Sequence, residues 1–88
     1  NYINLQYLSL DQNKIRLLEI NCFNNLKNLV YLNLSHNLIS SFSNSIFFNL
    51  KNLLILDLGY NYLNNLNGLF ENLRILESLT LRSNMIKS

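Results

Sequence analysis

Eighty-eight residues, a formal charge of +2 and a pI near 8.9 describe at most one domain, with too little charge to point to a nucleic-acid or membrane partner. Hydrophobic residues make up 49% and charged ones only 14%, which excludes a disordered tail. A single cysteine, Cys22, excludes an internal disulfide framework, and a single histidine, His36, leaves little for a metal site, so no cofactor is expected.

The chain holds 22 Leu and 18 Asn, and neither type is spread evenly. Residues 1–4 read as the end of a preceding unit, with Tyr2 aligned on the later Leu26. Residues 5–28 then give Leu5-x-x-Leu8-x-Leu10-x-x-Asn13-x-Ile15, followed by Leu18 and by Phe23-x-x-Leu26. Residues 29–52 repeat this as Leu29, Leu32, Leu34, Asn37 and Ile39, then Phe42 and Phe47-x-x-Leu50. Residues 53–75 repeat it again as Leu53, Leu56, Leu58, Asn61 and Leu63, then Leu66 and Phe70-x-x-Leu73. A partial unit, 76–88, carries Leu76, Leu79, Leu81, Asn84 and Ile86. The offsets are 24, 24 and 23 residues, giving about 3.6 repeats in one solenoid spanning 1–88.

These residues resemble the leucine-rich repeat family, and the Phe-x-x-Leu step resembles its typical 24-residue subclass, familiar from Toll-like receptors and other extracellular repeat proteins. The resemblance covers essentially the whole chain. It implies an α/β-type solenoid: an open right-handed coil with a short-stranded parallel sheet on the concave face and turns or 3₁₀ pieces on the convex face. The family often places Pro after the Asn-x-Leu segment. Glu19, Ser43 and Asn67 stand there instead, and the chain has no Pro, so less rigid turns are expected.

Each position has a physical role. Alternation in Leu-x-Leu sends Leu8 and Leu10 inward and Ser9 outward, so strands are expected near 7–10, 31–34, 55–58 and 78–81. A fully buried Leu contributes on the order of 1.5–3 kcal/mol, but only stacked neighbours can bury these faces. Asn13, Asn37, Asn61 and Asn84 fall where the chain turns inward. An amide carries donor and acceptor together, so these four are read as a buried ladder satisfying turn backbone, in contrast to exposed turn residues such as Asn64 and Asn65. Phe23, Phe47 and Phe70 are read as a stacked spine beneath the convex wall rather than a ligand platform, with Phe48 exposed beside it. Cys22, where Ile46 and Leu69 stand in later units, is read as a small buried hydrophobe rather than a nucleophile.

The family's binding surface usually lies on the concave sheet, at the non-leucine positions. The outward columns here are Tyr7, Tyr31, Ile55, Ser78; Ser9, Asn33, Asp57, Thr80; Asp11, Ser35, Gly59, Arg82; and Gln12, His36, Tyr60, Ser83. Tyr7 over Tyr31 beside Ile55 forms an aromatic-apolar strip, suited equally to ligand contact and to cross-strand packing. The candidate ligand contacts are therefore Tyr7, Ser9, Asp11, Tyr31, Asn33, Ser35, Ile55, Asp57, Tyr60, Thr80 and Arg82. Asp11, Asp57 and Glu77 against Arg82 leave this face near −2. Lys14, Arg16, Lys27, Lys51, Arg74 and Lys87 against Glu19 and Glu71 leave the back and edges near +4, read as solubility charge rather than a lateral ligand site. Four strands present a face of roughly 320 Å², against about 800 Å² per partner in a standard interface. These repeats are accordingly expected to be a piece of a larger solenoid. Asn33-Leu34-Ser35 is a glycosylation sequon, so Asn33 is a candidate glycan acceptor on the same face.

Ser35, His36 and Asp57 superficially resemble a catalytic triad, but adjacent strand residues splay and no oxyanion donors accompany them, so no enzyme is expected. No apolar run approaches the roughly 18 residues of a membrane helix, and no targeting segment follows Asn1. Any membrane anchor would lie outside these residues. The resemblance implies a non-catalytic recognition module of a receptor or adhesion protein, extracellular or at the cell surface, with a protein ligand. The alternatives are a scaffolding spacer, or repeats of a cytoplasmic or microbial protein.

Overall fold

Alternation of side chains along a strand forces Leu32 and Leu56 to one side of the backbone and Tyr31, Asn33, Ile55 and Asp57 to the other. The computed structural model describes residues 4–86, in which this pattern builds four parallel strands. They are β1 (Tyr7–Ser9), β2 (Tyr31–Asn33), β3 (Ile55–Asp57) and β4 (Ser78–Thr80), in the order β1-β2-β3-β4. The register is the repeat itself: Leu8 pairs with Leu32, Leu32 with Leu56, and Leu56 with Leu79. Each strand is one residue shorter than the sequence suggests. The ladder nevertheless continues past the strand ends, where Leu10 N–H donates to Asn33 O (2.8 Å) and Leu34 N–H to Asp57 O (2.8 Å). The result is an open right-handed solenoid whose sheet lines the concave face.

The convex return is made of separate turns, with no α-helix among the described residues. Cys22 N–H donates to Glu19 O, Asn24 N–H to Asn21 O and Leu26 N–H to Phe23 O, each three residues back. Phe23, Phe47 and Phe70 stack along this wall, with centroids 6.2 and 6.4 Å apart and planes within 17° of parallel. Phe42 tilts onto Phe47 at 5.2 Å. Between wall and sheet, Leu29, Leu32, Leu34, Ile39, Leu53, Leu56, Leu58 and Leu63 lose all solvent contact.

The asparagines tie the coils together. Asn37 Nδ2 donates to Leu10 O of the coil before (3.0 Å) and to Leu34 O and Ser35 O of its own, while its Oδ1 accepts from Ile15 N–H (3.2 Å). Asn61 repeats this on Leu34 O, Leu58 O, Gly59 O and Ile39 N–H. Asn84 does so on Leu58 O, Leu81 O, Arg82 O and Leu63 N–H. Every amide thus seals two successive turns, which explains why no buried polar side-chain atom lacks a partner among the described residues.

The outer coils depart from the pattern. Asn13 is exposed and bonds only Leu10 O and Asp11 O of its own coil, so the buried ladder begins at Asn37. Cys22, expected in the core, is exposed, whereas Ile46 and Leu69 in its column are buried. The reason is one-sided packing: no described coil covers the outer side of coil one, where Leu5, Leu8, Leu18 and Cys22 border an apolar hollow of about 310 Å³. At the other end Leu79 is 38% exposed and Phe70 only half-buried for the same reason. Tyr2 and Lys87 lie outside the described residues.

A backbone feature escapes the sequence pattern. Gln12, His36, Tyr60 and Ser83 all have positive φ, between 55° and 57°, in the turn just before each ladder Asn. This left-handed conformation costs an L-residue roughly 1–2 kcal/mol, and none of the four is Gly or Asn.

Three outcomes follow for stability and reactivity. Asn37→Leu should lower unfolding free energy by about 1–3 kcal/mol in urea titration, because it strands carbonyls of two coils, while Asn13→Leu should change it by less than about 0.5 kcal/mol. Gln12→Gly should raise stability by up to about 1 kcal/mol, since relief of the left-handed strain exceeds the entropic cost of Gly. Although Cys22 is exposed, it borders the apolar hollow, and this partial desolvation pushes its thiol up; a backbone hydrogen bond lowers it, and Glu19 raises it further. Less thiolate is then present at neutral pH, so iodoacetamide should alkylate native Cys22 more slowly than the unfolded chain.

Candidate functional site

The residues between the inward leucines are held by the ladder and cannot turn inward without breaking it. Their outward display is therefore a consequence of the core. Tyr7 and Tyr31 meet at 6.0 Å with planes tilted by 38°, and Ile55 continues the strip one coil on. Tyr7 is 66% exposed and Ile55 39%, so the strip is open to solvent.

The second column is chemically more committed than its composition suggests. Asn33 Oδ1 accepts from Ser35 N–H and Asp57 Oδ1 from Gly59 N–H, both at 2.9 Å. Ser9 Oγ donates to Asp11 Oδ1 at 2.6 Å. These short-range bonds end the strands and start the turns toward the ladder asparagines. Asn33, Asp57 and Thr80 are half-buried, and Ser9 is exposed.

Ser35 must be withdrawn from the candidate contacts: it is 6% exposed, and Gly59 in the same column is buried as well. Around Gly59 the space is taken by Asp57 and Arg82. The Arg82 stem lies where a Cβ on Gly59 would come within 3.3 Å of its Cγ, so Gly59 leaves room for that stem.

In the left-handed turns His36 and Tyr60 stack face to face, with centroids 4.3 Å apart and planes 8° from parallel. Arg82 places its guanidinium 5.8 Å from the Tyr60 centroid. The three form an exposed row alongside the Tyr7–Tyr31–Ile55 strip. The sequence columns place His36 next to Tyr60, but stacking depends on the shared positive φ, which nothing in the residue types announces. His36, Ser35 and Asp57 do not assemble as a triad: His36 is stacked on Tyr60, Ser35 is buried and Asp57 is bonded to Gly59. Among the described residues no group of His, Cys, Asp and Glu could hold a metal ion, and no helix is long and apolar enough to cross a membrane.

Known proteins share this architecture. The leucine-rich repeat domain of APL1B superposes with a TM-score of 0.90 at 31% identity, over 94% of this chain and 26% of that one. A leucine-rich repeat protein of Leptospira interrogans gives 0.85 at 41% identity, over 94% and 21%. Internalin C2 from Listeria monocytogenes gives 0.76 at 30% identity, over 97% and 35%. The chain thus spans between 21% and 35% of the length of these structures. No curated protein matches it. Domains of this kind generally mediate protein–protein interaction and are generally non-catalytic. A family model described as leucine rich repeat matches residues 3–47 and again 40–86, so that with the coil geometry above the chain belongs to the leucine-rich repeat family.

Proposed function

We propose that these repeats form a non-catalytic recognition module that binds a protein ligand on the concave face. The observation that carries this reading is the pair of outward-facing rows, Tyr7–Tyr31–Ile55 and His36–Tyr60–Arg82, set side by side by the coil register. Tyr side chains supply contact area at low entropic cost, and Tyr and Arg are both over-represented among residues that dominate binding energy. Asp11, Asp57, Thr80 and Ser9 supply a polar rim around them. Asn33 adds to it, and a glycan there would compete with ligand for the same surface.

With a face of roughly 320 Å², against about 800 Å² for a full interface, the module acts as one segment of a longer repeat surface in this reading. The subclass resemblance supports a receptor or adhesion role outside the cell or at its surface. A second reading, repeats of a microbial protein, draws on the similarity to the Leptospira interrogans and Listeria monocytogenes proteins.

Partner capture with the intact protein, followed by affinity measurement on variants, tests the reading. Tyr31→Ala with Tyr60→Ala should weaken binding by about 2 kcal/mol, roughly thirtyfold, with melting temperature little changed. Phe48→Ala, on the convex side, should leave affinity unaltered. Undiminished binding by the double variant would remove the concave face as the contact surface.

A further inference from the structure

The turns that lead into β2, β3 and β4 repeat one chemistry. Leu29 N–H closes onto Leu26 O, Leu53 N–H onto Leu50 O and Leu76 N–H onto Leu73 O, at 3.1, 3.2 and 3.3 Å. The second residue of each turn is a cation: Lys27, Lys51 and Arg74. All three are exposed, and none forms an ion pair among the described residues. Asn52 Nδ2 donates to Lys27 O at 2.9 Å, tying one turn to the next. Coil stacking brings equivalent turns within roughly 5 Å of one another, so like charges stand in a row without counter-charge, a focus of positive potential. Two adjoining depressions follow the row. One of about 370 Å³ is lined by Lys27, Asn49, Lys51 and Asn52, and one of about 490 Å³ by Lys51, Asn72, Arg74 and Ile75. Lys51 is common to both.

We propose that this edge binds an acidic polysaccharide, laid across the coils with its sulfate or carboxylate groups on Lys27, Lys51 and Arg74. The lining chooses among polyanions. Each depression pairs cations with side-chain amides, which donate to and accept from sugar hydroxyls. No aromatic ring lines either depression, so the stacking platform that single-stranded nucleic acid uses is missing; the exposed Phe48 ring lies under the Lys51 ammonium at 5.6 Å. An acidic peptide could not add to this edge as a strand, because the Leu29, Leu53 and Leu76 N–H groups are consumed within the turns. The edge is separate from the concave face and does not depend on the protein ligand proposed there.

Heparin is a suitable probe, titrated against the full chain at several salt concentrations with neutral dextran as control. Three cation contacts at about 0.7 each, the value for a flexible single-stranded polyanion, predict a slope of log affinity on log salt near −2, or about fourfold weakening per doubling of salt. Lys27→Ser with Lys51→Ser and Arg74→Ser should weaken binding more than about tenfold, whereas Lys14→Ser with Arg16→Ser should change it less than about twofold. Should the triple variant fail to fold, Lys51→Gln alone should lose more affinity than Lys27→Gln, because Lys51 borders both depressions. Equal losses in the two sets, parent binding no stronger than to dextran, or polyglutamate or polyuridylate binding as tightly as heparin would each overturn the proposal.

Discussion

One constraint governs this chain: turns buried beneath a leucine core have backbone groups that water cannot reach. Asn37, Asn61 and Asn84 meet it with side-chain amides that reach two turns each, donating to carbonyls and accepting one N–H from the coil before. Hydrophobic burial supplies the larger driving force, since the inward leucines of the two inner coils, such as Leu32, Leu34, Leu56 and Leu58, are fully shielded. Burial alone, however, does not fix how one coil sits on the next. The amides do, because Asn37 Oδ1 can accept from Ile15 N–H and Nδ2 reach Leu10 O only when successive coils stand in one register.

That register determines everything the outside of the molecule can do. Equivalent residues become neighbours one coil apart, so any side-chain type repeated in the sequence becomes a row in space. Tyr7 and Tyr31 become an aromatic strip, His36 and Tyr60 a stack, and Lys27, Lys51 and Arg74 a basic edge. The concave face and the basic edge lie on different parts of the same coils. In the two proposals above, a protein ligand and an acidic glycan would be held without sharing residues, each by columns the core does not constrain.

The period made the strands, the inward leucines and the Phe23–Phe47–Phe70 stack readable from the residues, because burial demands the same side-chain type at the same step in every coil. It misled at the ends. Cys22, Asn13 and Leu79 occupy core or ladder positions by register, yet each lies in a coil with a packed neighbour on one side only. Ser35 departs for a different reason: strand alternation gives direction, but not how much of a small side chain the neighbouring coils leave in solvent. The left-handed turns at Gln12, His36, Tyr60 and Ser83 left no trace in composition, since tertiary bonds impose them on residues that do not favour them. Lys27, Lys51 and Arg74 were in register all along, but their turn geometry and the depressions beside them exist only once the coils are stacked.

Native-state hydrogen exchange on the Ile39 and Leu63 amides tests the central constraint most directly, because each donates only to the ladder asparagine of the following coil. Both should exchange with free energies close to that of global unfolding, and Asn61→Leu should abolish the protection of Ile39 selectively while the chain remains folded. Exchange of Ile39 at the rate of an open turn in the parent protein would contradict the account.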